Sequence, residues 1–97
     1  MELKMQLDIG DYYKTYLKSE WQRRTQINPR YSMRAFARYL SLDVAQLSRL
    51  LMNKQTITMR TAEKICENLK LDSANKGVFL NSVAFDREQI YRKATAG

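Results

Sequence analysis

Apolar side chains between residues 33 and 54 fall into two short runs of helical period. Met33, Phe36, Ala37 and Leu40 recur at i, i+3, i+4 and i+7, the spacing of one apolar helix face. A second run starts near Asp43, with Val44, Leu47, Leu50 and Leu51 as its apolar positions. Only Ser41 and Leu42 separate the two, and the Asp43 carboxylate can cap the second by accepting from a first-turn N–H. So short a link, with Leu42 turned inward, folds the second helix across the first. This is helix-turn-helix geometry, in which the second helix can enter a DNA major groove. The polar positions left on that helix are Gln46, Ser48 and Arg49, with small Ala45 beside them.

The flanking stretches are read the same way. Residues 2–9 alternate Leu3, Met5, Leu7 and Ile9 with Glu2, Lys4, Gln6 and Asp8, the period of a half-buried strand. Three arrangements stay open for it: an arm over the helices, a disordered tail, or a strand paired with its copy in a dimer. Gly10 breaks the pattern. A helix is expected from about Asp11, its N-cap, to Gln26, with Tyr13, Leu17 and Trp21 four apart as core packing. Tyrosine hydroxyls at the edge of that row are within reach of a phosphate. Asn28-Pro29 ends the helix, since the residue before proline avoids the helical region. Arg23, Arg24 and Arg30 lie at and after its end, where cations suit the helix dipole.

Ser32 is the natural N-cap of the next helix, and Thr58 that of a fourth running to about Lys70. A turn at Leu71-Asp72-Ser73, with a cap at Asp72 or Ser73, leads to a fifth helix that turns Val78, Phe79, Val83 and Leu80 inward. Ala84, Phe85, Ile90 and Tyr91 add apolar surface that either completes the core or joins two copies. The expectation is an all-α five-helix bundle containing the helix-turn-helix. It comprises an N-terminal arm or strand at 1–10, the folded domain at 11–92, and a frayed tail at 93–97.

Charge sharpens this picture. The net charge is +7 over 97 residues, but residues 14–60 alone carry +8, while 1–13 carry −2 and 61–97 carry +1. The excess coincides with the helix-turn-helix segment and favours a polyanionic partner. The lone Cys66 shares an apolar face with Ala62, Ile65 and Leu69 and is expected to be a buried, reduced thiol. There is no histidine, no metal-ligand cluster, no phosphate-cradling glycine loop and no recognisable acid pair, so enzyme chemistry, metals and cofactors are not expected. No apolar run is long enough to span a membrane, and a cytoplasmic, nucleoid-associated protein is expected.

At this point the residues carry a family resemblance. The stretch AFARYLSLDVAQLSRLLMNKQTITMRTAEKICENLKL resembles the phage repressor and Cro type of helix-turn-helix. Ala37, Ser41, Leu42 and the set Leu47, Ser48, Arg49, Leu50 fill that family's packed alanine, turn residue, buried apolar residue and apolar-Ser-basic-Leu segment. Ser41 stands where the family usually has glycine, and a positive φ there would strain it. Met52-Asn53 replaces the family's Asn-Gly, with Asn53 able to adopt the left-handed conformation. More narrowly, residues 11–85 resemble the N-terminal region of larger bacterial transcriptional regulators whose second domain has no assigned function. The segments YSMRAFA at 31–37 and LNSVAF at 80–85 carry that likeness. The chain then ends, either as a naturally short member or as the first domain of a longer one.

The resemblance implies double-stranded DNA as partner, with base edges met by Val44, Ala45, Gln46, Ser48 and Arg49. Arg49 suits guanine, Gln46 adenine, and Val44 and Ala45 thymine methyls, although Val44 has the spacing of a core residue too. Ser32, Arg34, Arg38, Lys54, Gln55, Thr56, Thr58 and Arg60 are the expected phosphate contacts. Leu51, at a position often charged in the family, implies an extra buried contact. A homodimer through the C-terminal helices or the N-terminal arm would read two half-sites. The rival reading is a protein-interaction module of the same fold, docking on another regulator or on a missing C-terminal domain.

Overall fold

The computed structural model describes residues 9–96, with side chains through Ile90. A short 3-10 turn (Ile9–Asp11) leads into α1 (Tyr12–Ile27), α2 (Met33–Tyr39), α3 (Val44–Leu51), α4 (Met59–Asn68) and α5 (Ser73–Ala96). The fold is an all-α five-helix bundle. The alternating stretch 2–9 lies, but for Ile9, outside the described residues.

Four helix starts use the side chains the sequence supplies. Ser32 Oγ accepts from Ala35 N–H at 3.0 Å, Asp43 Oδ1 from Gln46 N–H at 2.7 Å, Thr58 Oγ1 from Thr61 N–H at 3.1 Å, and Asp72 Oδ1 from Asn75 N–H at 2.8 Å. Each satisfies one orphan donor of a first turn. Helix α1 differs. Asp11 sits at the N-cap position but has helical φ/ψ (−94°, −10°) and makes no capping bond with its side chain. The buried Ser82 hydroxyl on α5 takes its place, accepting from Tyr13 N–H at 2.9 Å and donating to the Ile9 carbonyl. Gly10 allows this close approach: a Cβ there would lie 3.3 Å from Phe85 Cδ1 and 3.4 Å from the Asp86 backbone.

Helices α2, α3 and α4 end alike. Ser41 (φ 67°), Asn53 (φ 62°) and Lys70 (φ 58°) are left-handed. The following residue's N–H reaches back to close the last turn, as Leu42 to Ala37 O (2.8 Å), Lys54 to Arg49 O (2.9 Å) and Leu71 to Cys66 O (3.1 Å). Glycine would occupy this conformation without the cost that a Cβ imposes. Lys70 is exposed, so Lys70→Gly is expected to raise stability by about 0.5–1 kcal/mol. A thermal melt should show an increase of a few degrees; a fall would show that the lysine side chain matters more than its backbone.

The core joins Tyr13 and Leu17 of α1, Phe36, Ala37 and Leu40 of α2, Leu47 and Leu50 of α3, Ile65 of α4, and Phe79 and Val83 of α5. Val44 and Leu51 pack at its margin, as their spacing predicts. Trp21 stacks on Phe36 at 5.8 Å between ring centres, fixing α1 on α2. Cys66 is buried, and burial pushes its thiol up to about 11, so it stays protonated near neutral pH.

One expectation for α5 is corrected. Val78 is 48% exposed, because the inward stripe of α5 runs Phe79, Ser82, Val83, Asp86 and includes polar positions that hydropathy alone passes over. The backbone of α5 is helical through Ala96; no proline interrupts it after Gly77.

Candidate nucleic-acid interface

Helices α2 and α3 are linked by Leu40–Asp43, and Leu42 is 8% exposed. The left-handed Ser41 reverses the chain, Leu42 drops into the core, and Asp43 restarts the helix within four residues. Leu47 and Leu50 are fully buried, so the opposite side of α3 must face outward. That side carries exposed Ala45 and Arg49, with half-buried Gln46 and Ser48 beside them. Val44 is half-buried against the core and has less to offer a ligand. Arg49 Nε donates to Gln55 Oε1 at 2.6 Å, an amide partner where an acid would have consumed its charge. This bond occupies Nε and leaves the terminal guanidinium nitrogens for an outside acceptor.

At the N-terminal end of α3, Arg34, Arg38, Ser41, Leu42, Asp43 and Val44 line an open depression of about 370 Å³. Arg34 and Arg38 are one helical turn apart on α2 and both exposed. Ser32 is exposed but spends its hydroxyl on the α2 cap. Arg23 and Arg24, by contrast, both bond Glu20. Arg23 beside it holds the Glu20 carboxyl below the usual range, with Arg24 adding to the effect. Arg24 also lies 4.3 Å from the Tyr39 ring centre. Arg24 therefore braces α1 on α2, while Arg23 stays on the exposed face of α1 and pairs within it.

At the C-terminal end of α3, a polar seam from α1 and α5 holds the following loop. Lys14, only 8% exposed, donates from Nζ to Asn53 Oδ1 at 2.6 Å and lies 3.4 Å from Asp86 Oδ2. The Tyr13 hydroxyl donates to Asp86 Oδ2 at 2.8 Å and sits 3.1 Å from Thr56 Oγ1. Burial holds that phenol above its ordinary range, so it remains a donor. Arg87 Nη1 donates to the carbonyl of buried Ile57 at 3.1 Å. Asn53 thus ends the helix with its backbone and anchors the loop with its side chain.

The phosphate candidates separate accordingly. Arg34 and Arg38 gather at one end of α3, Lys54 and Gln55 at the other. Thr56 turns its hydroxyl inward to Tyr13 and is a tether of the loop. Thr58 caps α4, and neither it nor exposed Arg60 lines either depression. Sequence reasoning passed over Lys14, Thr15 and Lys18 of α1. Their i, i+1, i+4 spacing looks like a plain solvated face, and only packing sets it beside Asn53. Among the described residues there is no metal-capable cluster of His, Cys, Asp or Glu, and no helix is long and apolar enough to cross a membrane. No family model, curated protein or solved structure matches the chain.

Proposed function

We propose that this chain binds double-stranded DNA sequence-specifically, as a bacterial or phage transcriptional regulator of the repressor and Cro type, with α3 in the major groove. The observation that carries the reading is the make-up of α3. One side is locked into the core by Leu47 and Leu50, while the other offers Ala45, Gln46, Ser48 and Arg49 between basic side chains at both ends. With its side chains a helix is about 10–12 Å across, which fits a major groove about 12 Å wide. Basic groups at the two ends of such a helix suit the phosphates that border the groove. Arg49 pairs with guanine through its free fork, Gln46 with adenine, and Ala45 packs on a thymine methyl.

The test is selection from random duplex DNA at physiological salt. The expected result is one enriched motif, as two inverted half-sites about one helical turn apart if the protein acts as a homodimer, or as one half-site if it acts alone. Enrichment no better than that of an unrelated basic protein would overturn the reading and favour a protein-interaction module.

A further inference from the structure

Lys14, Thr15 and Lys18 of α1, with Asp11 just before the helix and Asn53, line a depression of about 210 Å³ beside the end of α3. Resting on the DNA-binding reading above, we infer that this depression is a phosphodiester subsite. Lys18 is its principal ligand, Thr15 a hydroxyl donor and Lys54 a flanking cation, so α1 extends the DNA contact beyond the helix-turn-helix.

The C-terminal end of α3 is its negative end, and a strand of phosphates passing there must be held by side-chain cations. Its last carbonyls are covered by Asn53 N–H to Leu50 O at 3.1 Å and Lys54 N–H to Arg49 O at 2.9 Å. Lys14 reaches the same point, but its charge is matched by Asp86 at 3.4 Å and its position is set by Asn53. The Asp86 carboxylate is in turn bound by Tyr13. Lys18 and Lys54 are exposed and supply the net positive charge of this end. Asp11 lines this depression and the neighbouring one that holds Lys54, so Lys14, Lys18 and Lys54 against Asp11 and Asp86 leave this end at net +1. With Arg34 and Arg38 at the opposite end, α3 is bracketed by cations where a groove has a phosphate strand on each side.

Lys18→Gln removes the charge from an exposed side chain and leaves the fold intact. Its binding to the duplex selected by the parent protein, and to a scrambled duplex of equal length, is to be followed by fluorescence anisotropy across a salt series. Lys64→Gln, an exposed lysine on α4 outside the depressions, serves as the charge-matched control. One lost phosphate contact makes the slope of log affinity against log salt shallower by about 0.9, equivalent to about fivefold in affinity at 0.15 M salt. That loss is expected on both duplexes alike, and Lys18→Arg should restore it. A Lys18→Gln protein with the slope and affinity of the Lys64→Gln control, while the parent binds steeply with salt, overturns the α1 subsite and leaves the major-groove reading standing. A parent protein without salt-dependent duplex binding overturns both.

Discussion

Asp86→Ala should lower unfolding stability by about 2–4 kcal/mol, far more than an ordinary surface substitution. The side chains of Lys14 and Asp86 are only 9% and 14% exposed, so the ammonium left behind cannot recover its partner from bulk water without opening the seam. The Tyr13 hydroxyl loses its acceptor at 2.8 Å in the same step. Lys14→Met should cost less, because Asp86 keeps the bond from Tyr13. The double variant Lys14→Met/Asp86→Leu should recover part of the loss, since it buries no unpaired charge. Urea denaturation of the three proteins checks the order. An Asp86→Ala midpoint equal to that of the parent would show that solvent already satisfies these groups. The same seam holds Asn53 at the end of α3, so Asp86→Ala is expected to loosen the loop after α3 as well as the fold.

Arg49→Ala is expected to weaken binding to the selected DNA site by about 1–3 kcal/mol, roughly 5- to 150-fold, and to relax preference at one base position. Gln55 prepares this arginine: with Nε held at 2.6 Å, the fork that would meet guanine is oriented before DNA arrives. Gln55→Ala should therefore show a fraction of the same loss at the same base. Lys54→Ala should instead weaken cognate and scrambled duplexes alike, because a phosphate contact carries no sequence information. Repeating the selection with Arg49→Ala is the decisive measurement. A motif unchanged at every position, with equal losses on both duplexes, would make Arg49 one more phosphate ligand and remove its assignment to a base edge.

What sequence and structure each contributed divides by range. The caps at Ser32, Asp43, Thr58 and Asp72 act on backbone three residues away, so residue type and spacing announce them. The buried stripes of α2 and α3, the inward Leu42 and the left-handed Asn53 are local in the same sense. The third left-handed ending, at Lys70, has no such local mark, since lysine is a good helix former and its backbone is bent by the packing of Leu69 and Leu71 against the core.

By itself the sequence determined an all-α chain, the placement of its central helices, and a positive charge concentrated on residues 14–60. Tertiary structure alone decided which polar groups meet. Ser82 caps a helix that starts 70 residues earlier, Asp86 holds Tyr13 and Lys14, and Lys14 grips Asn53. Lys18 likewise stands beside the end of α3 only because α1 packs there. Periodicity cannot reveal such pairs. It records which face of a helix is wet or dry, whereas a buried bond between distant residues depends on how two faces are placed against each other.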